Sequence, residues 1–341
     1  MAIAGHCTSP QIHGSPERGH ETPPSPSRKR TIMRRAKIPT EDGIILRAYL
    51  HSPDSDAHPG IVMCPGFGGV KPHIDQFAAL FARAGFAVLN YDNRGWGTSE
   101  GEPRQELNVF KQLTDLRDAI TFAESQPEFD AQQGFGVWGS SFSGGLAIVT
   151  AANDPRVRCV VAQIPNVSGH RNAVKLFTTE ELHEIRRRAA ADRRARLAGE
   201  PPMMVPMFSE DPGELCAFPR QFPEEYREAI ESGIWNNQTT LRSLENFTEF
   251  EPAGWLPYVA PKPLLMIIAE HDVCTFTEVQ MQVYQTAPEP KKLLTYDGGH
   301  FDAYTTFFEQ TGPPARDWFV EHLVVSRNQQ ASAPEPVSGS T

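Results

Sequence analysis

Three residues in this chain carry the chemistry of a nucleophile, a base and a carboxylate, in an order one sheet edge could bring together: Ser141, Asp272 and His300. Ser141 sits in Gly139-x-Ser141-x-Ser143, after the apolar run Phe135–Trp138 and before Gly144, Gly145 and the apolar Leu146–Val149. A serine on a sharp strand-to-helix bend needs small residues two before and two after it, because larger side chains there would collide with neighbouring backbone. Ser143 stands where a second glycine is usual and keeps the position small. The histidine would remove the serine proton and later deliver one to the leaving group, while the carboxylate fixes the imidazole tautomer and stabilises its charged form. The start of the helix would offer the Phe142 N–H to the oxyanion, and the glycine-rich turn after Cys64 a second donor, Phe67 first and Gly68 next.

Plainer readings compete. Gly134-x-Gly136-x-x-Gly139 matches the dinucleotide fingerprint in form, but its glycines fall before and within the expected strand instead of between strand and helix. A serine- and glycine-rich bend could also be purely structural. Asp302 is the alternative acid to Asp272. His271 would point to the opposite side of its strand, and His73, His170, His183 and His322 lack triad spacing and read as loop or surface residues. Dehalogenase and epoxide-hydrolase chemistry would place an aspartate at the bend, so serine disfavours both.

The elements that must position these residues follow from the pattern of the chain. Ala36–Pro39 and Ile44–His51 alternate apolar and polar residues around a turn at Glu41–Gly43, an antiparallel hairpin. Gly60–Cys64 is an unbroken apolar run of the kind buried on both faces, and helical stretches then alternate with strands at Phe86–Asn90, Phe135–Ser140 and Arg156–Ile164. The alternation stops between Pro165 and about Pro261, where a helical, turn-rich insertion (about 166–260) would cap the sheet edge that carries active sites in such folds. It resumes with strands at Pro263–Ala269 and Lys291–Tyr296, so that Ser141, Asp272 and His300 each follow a core strand. The fold class expected is α/β, a mostly parallel wound sheet with a helical cap insertion.

Composition sets outer limits. The chain has 341 residues, 39% of them hydrophobic, and a formal net charge of −10, which argues against a nucleic-acid partner; small-molecule chemistry is the better expectation. Five widely spaced cysteines form neither a disulfide framework nor a metal-ligand cluster, so we expect no metal and a reducing, cytoplasmic location. No apolar run is long enough to span a membrane, and charges and prolines stand where a signal peptide would be hydrophobic. Residues 1–35, rich in Ser, Pro and basic residues, read as a disordered tail, with Arg34 and Arg35 open to an address or an anionic contact; 326–341 read as a second tail. The domain is then 36–325.

Taken together, the glycine-rich turn at 66–69, the Asp92-x-Arg94-Gly95-x-Gly97-x-Ser99 loop, the serine bend and the Asp272/His300 pair resemble the α/β-hydrolase superfamily. At finer grain, the segments Trp138–Gly145, Cys64–Gly69 and Trp235–Glu245 resemble the dienelactone-hydrolase-related fungal enzymes that act in trans on polyketide synthases. The resemblance implies a cofactor-independent serine thiohydrolase or acyltransferase that passes a polyketide chain from a carrier domain to water or an alcohol. A stand-alone esterase or lactonase, and a non-catalytic binding protein on the same fold, are the alternatives. Within the cap, Met203, Met204, Met207 and Phe208 are candidates to line an acyl tunnel, with Trp96, Phe67 and Phe142 walling the pocket near the serine. The arginine-rich stretch Glu180–Ala198 reads as a helix, and Arg186, Arg187, Arg193 and Arg194 are candidates to dock the acidic carrier. Oligomeric state stays open, a homodimer included.

Overall fold

The computed structural model describes residues 31–324 except 212, 220–226, 228–232 and 234. Both expected tails therefore fall almost wholly outside the described residues. In chain order the elements are β1 (Ile32–Pro39), β2 (Ile45–Ser52), β3 (Gly60–Cys64), α1 (Asp75–Arg83), β4 (Ala87–Tyr91), α2 (Val109–Glu124), β5 (Phe135–Ser140), α3 (Phe142–Asn153) and β6 (Val157–Gln163). The cap follows, with α4 (Gly169–Leu176), α5 (Thr179–Leu197), the short strands β7 (Met204–Val205) and β8 (Thr239–Thr240), and α6 (Leu241–Thr248). The chain then returns to the sheet through β9 (Leu264–Ala269), α7 (Thr277–Thr286), β10 (Lys291–Tyr296) and α8 (Phe308–Phe319).

One eight-stranded sheet runs in the order β1-β2-β4-β3-β5-β6-β9-β10. Only the pairings of β2 with β1 and with β4 are antiparallel; the rest are parallel. The period-two geometry of a strand explains how runs such as β9 are apolar throughout: Leu264, Met266 and Ile268 enter one core while Leu265, Ile267 and Ala269 enter the other. The first core is closed by α2, α3, α7 and the cap, the second by α1 and α8. Each fully buried aliphatic or aromatic side chain contributes roughly 1.5–3 kcal/mol. Cap helix α5 starts on a reciprocal box: Thr178 Oγ1 accepts the Glu181 N–H at 3.2 Å and the Glu181 carboxylate accepts the Thr178 N–H at 2.6 Å.

One boundary differs from the sequence expectation. The first strand begins at Ile32, not Ala36, so Arg34 and Arg35 belong to the sheet instead of a tail. Arg34 is held there by Glu128 at 2.7 Å and Gln126 at 3.0 Å, partners too distant in sequence to be anticipated.

A severe steric demand lies under the serine bend. A Cβ on Gly139 would run into the carbonyl of Ser143, whereas one on Gly254 would meet open space. Gly139→Ala is expected to lose about 3 kcal/mol or more, or to fail to fold, and Gly254→Ala to stay within about 0.5 kcal/mol of wild type in thermal and chemical denaturation.

Candidate active site

Ser141 occupies the junction of β5 and α3 with φ 57° and ψ −123°, a backbone conformation that side chains other than glycine rarely adopt. Its N–H donates to the Gln163 carbonyl at 2.9 Å, and its own carbonyl accepts from Gly144 and Asn166 at 2.9 and 2.8 Å. The bend is thus fixed by β6 on one side and by the start of α3 and the residues after β6 on the other. Cys64, the thiol hydrogen-bonded to Ser143, is pushed up to about 11 by burial and stays protonated, so it does not compete as a nucleophile.

A continuous hydrogen-bonded chain leads away from the serine. His300 Nε2 lies 3.0 Å from Ser141 Oγ, and His300 Nδ1 lies 2.9 Å from Asp272 Oδ2. All three residues are buried. The carboxylate is saturated with donors: Oδ1 accepts the N–H groups of Cys274 and Thr275 at 2.8 Å each, and Oδ2 accepts Thr275 Oγ1 at 2.8 Å and Gln280 Nε2 at 3.1 Å. Burial pushes the Asp272 carboxyl up, but the charge and hydrogen bond of His300 together with the Thr275 donors outweigh it and hold it below the ordinary carboxylate value. Asp302, the alternative acid, spends Oδ2 on the Gly299 N–H at 2.7 Å and shapes the turn before His300. His271 faces outward and pairs with Asp297 at 2.8 Å. Such an array can take a proton from a serine hydroxyl and hold the resulting imidazolium.

The turn Pro65–Gly69 passes directly over the serine: a Cβ on Gly66 would lie 2.9 Å from Ser141 Cβ. The Phe67 ring lies 6.4 Å from that of Phe142, the first residue of α3, whose N–H has no partner within its own helix. The turn is braced from two sides. Asn93 Nδ2 donates to the Pro65 carbonyl at 2.9 Å from below, and the cap supplies Trp235, whose Nε1 donates to the Gly68 carbonyl at 2.5 Å, with Met207 packed against Gly68.

A cavity of about 190 Å3 opens at Ser141 and His300, walled by the aromatics Phe67, Phe208, Phe218, Phe301 and Tyr304. Phe67 and Phe208 are where the sequence placed them. Other expected wall residues are not. Met203 and Met204 are 41% and 36% exposed, Met207 packs against Gly68, Trp96 stands behind Phe67 at 6.2 Å between ring centroids, and Phe142 is packed between Phe67 and Phe250. The residues missed are Phe218, Phe301, Tyr304 and His73. Phe301 and Tyr304 follow His300 closely in the chain and His73 follows Phe67, a signal the sequence offered; Phe218 comes from the cap and meets Phe67 only in the folded structure. Burial, opposed by the Asp92 charge, pushes His73 down to about 4, so the wall it forms is neutral.

On α5, Arg187 and Arg188 pair with Glu184, Arg193 with Glu245 at 3.6 Å and Arg196 with Asp192 at 2.8 Å, while Arg186 and Arg194 make no ion pair among the described residues. Among the described residues, Asp272, Cys274 and His300 bring metal-ligating atoms within 4.8 Å of one another, but two of the three are spent on the chain to Ser141. No described helix is long and apolar enough to cross a membrane.

Comparison with known proteins gives this geometry a family. The profile described as serine aminopeptidase, S33, within the α/β hydrolases, matches residues 55–303. The polyketide transferase ATR5 of Stachybotrys chlorohalonatus is 31% identical over 269 residues, which cover 77% of this chain and 88% of that one. A protein of Eupenicillium brefeldianum named thiohydrolase is 29% identical over 285 residues, 81% of this chain and 90% of its own length. The crystal structure of the α/β hydrolase GrgF from Penicillium sp. sh18 superposes with a TM-score of 0.76 at 29% identity, covering 86% of this chain and 99% of that one. The chain belongs to the α/β-hydrolase family of the serine aminopeptidase S33 profile, among the relatives of fungal polyketide transferases and thiohydrolases, and is an enzyme of that hydrolase and acyltransferase class.

Proposed function

We propose that Ser141, His300 and Asp272 are the catalytic triad of a thiohydrolase or acyltransferase that removes a polyketide chain from the carrier domain of a polyketide synthase. The observation that carries this reading is the unbroken hydrogen-bonded chain from Asp272 through His300 to Ser141 Oγ, at the floor of an aromatic-walled cavity. The names of the relatives supply the substrate class.

In the first half-reaction Ser141 Oγ attacks the thioester carbonyl as His300 Nε2 takes its proton. The N–H groups of Phe67 and Phe142 receive the negative oxygen, a contribution worth roughly 3–4 kcal/mol per donor in comparable sites. Collapse breaks the carbon–sulfur bond, the thiol leaves with the proton from His300, and the acyl group remains on Ser141. Water or an alcohol then enters, gives its proton to His300, attacks the acyl carbon and expels Ser141, which recovers that proton. Water yields a free acid and an alcohol yields an ester. The aromatic wall binds the carbon chain and excludes bulk solvent from the reacting oxygen.

Product analysis by mass spectrometry, after mixing the protein with a synthase holding its chain on the carrier, tests the reading. Release by wild type is expected to fall by about a thousandfold or more in Ser141→Ala without loss of the folded state. Release that persists in the variant, or efficient cleavage of simple esters with none of the carrier-bound chain, would overturn it, the latter in favour of a stand-alone esterase.

The carboxylate makes a separate prediction. Because the folded Asp272 carboxyl lies below its unfolded value, its ionised form adds stability that is complete above about pH 4 and lost as pH falls through the native value. The destabilisation caused by Asp272→Asn, read by chemical denaturation between about pH 3 and pH 7, is expected to be largest at neutral pH and to shrink below about pH 4. A difference independent of pH would contradict this account.

A further inference from the structure

Arg35, Lys37 and Arg47 stand on one face of the β1–β2 hairpin, since residues two apart on a strand share a face. The register sets Lys37 directly opposite Arg47 and Arg35 opposite Tyr49. Like charges directly opposite one another repel and destabilise a sheet. Arg47 is relieved in part by Glu100 at 3.3 Å, whereas Arg35 and Lys37, both exposed, make no ion pair among the described residues. These residues and Tyr49, Lys71 and Thr98 line a surface cleft of about 400 Å3. Lys71 forms its buried wall, with Nζ 4.9 Å from the Tyr49 ring centroid and 2.5 Å from Asp92 Oδ2, so its charge is already balanced. The excess positive charge of the cleft is therefore that of Arg35 and Lys37, on a chain whose formal charge is −10. An anion seated there would remove the repulsion.

The position of the cleft says which anion. The Arg47 carbonyl accepts the Asp92 N–H at 3.0 Å, which puts the cleft at the end of β4, on the sheet edge that carries Ser141. The short helical turn Lys71–Ile74 stands between the two sites, giving Lys71 to the cleft and His73 and Ile74 to the wall of the serine cavity. From β5 to β2 is three strand steps, about 14 Å at the usual spacing. A thioester on a pantetheine arm has the matching layout: an acyl sulfur at one end, a phosphate at the other and an uncharged amide chain between.

We propose that the cleft formed by Arg35, Lys37 and Arg47 binds the phosphate of the pantetheine arm that presents the acyl thioester to Ser141. The inference rests on the thioester reading above. Guanidinium and ammonium groups pair with phosphate oxygens through charge-assisted hydrogen bonds. A carrier domain and free coenzyme A both supply that phosphate, and the substrates chosen below separate them.

Two measurements test it. Calorimetric titration of the Ser141→Ala protein with 4′-phosphopantetheine and with pantetheine reads the cleft without turnover. The phosphorylated probe is expected to bind about tenfold tighter at low salt, and Arg35→Gln/Lys37→Gln in the same background to erase the difference. Wild type is then assayed with one acyl group on pantetheine, on coenzyme A and on a carrier domain. The kcat/KM advantage of the phosphate-bearing substrates over acyl-pantetheine is expected to collapse from about tenfold towards unity in the double variant, through KM and not kcat. Collapse with the carrier substrate identifies the carrier as the source, and collapse with coenzyme A alone identifies the free coenzyme. Equal affinity for the two probes, or an advantage that survives the double substitution, would overturn the inference. If wild type turned over none of the thioesters, the thioester reading would fall by itself, while the titration would still decide the cleft.

Discussion

Everything in the site depends on holding Ser141 at φ 57° and ψ −123°. A non-glycine residue in so sparsely populated a conformation costs on the order of 1–3 kcal/mol, and it persists only where surrounding contacts over-determine it. Here the contacts are backbone ones: Gln163 accepts its N–H, Gly144 and Asn166 donate to its carbonyl, and the missing side chain of Gly139 leaves room for Ser143. The strain is local, but the parts that maintain it are β5, β6 and α3, the middle of the sheet. Ser141, the proposed nucleophile, is therefore held by the same contacts that hold the core.

Electrostatics complete what the bend begins. A buried carboxylate is costly unless it is met by donors. Asp272 is met by the imidazole and by four hydrogen bonds from Cys274, Thr275 and Gln280, which make its ionised form the favoured one despite burial. In the proposed mechanism that fixed negative charge stabilises the transient positive charge on His300. The wall around the cavity, from aromatic rings to the depressed His73, carries no charge of its own to compete with that of the proposed reacting groups.

The fold, and the hydrogen-bonded meeting of Ser141, His300 and Asp272, were legible in the sequence because both are written locally. Unbroken apolar strands, small residues around Ser141, and the placement of Asp272 and His300 just past core strands need no knowledge of distant contacts. What was misread depends on packing between remote segments. Arg34 and Arg35 look like a basic tail until Glu128 and the register with β2 are known. Met203 and Met204 are as apolar as Met207, yet the fold leaves the first two exposed and buries the third against Gly68. Trp96 is close to the serine in topology, yet it stands behind Phe67.

The hydrogen bond from Trp235 to the Gly68 carbonyl joins chain positions 167 residues apart. It means that the insertion walling the cavity is also a strut for the turn that passes over Ser141. The cap is therefore not an independent module, since exchanging it would remove a support of the turn beneath it. Diversification in such a scaffold has to proceed by altering wall positions one at a time, such as Phe208 or Phe218, while the indole anchor stays in place.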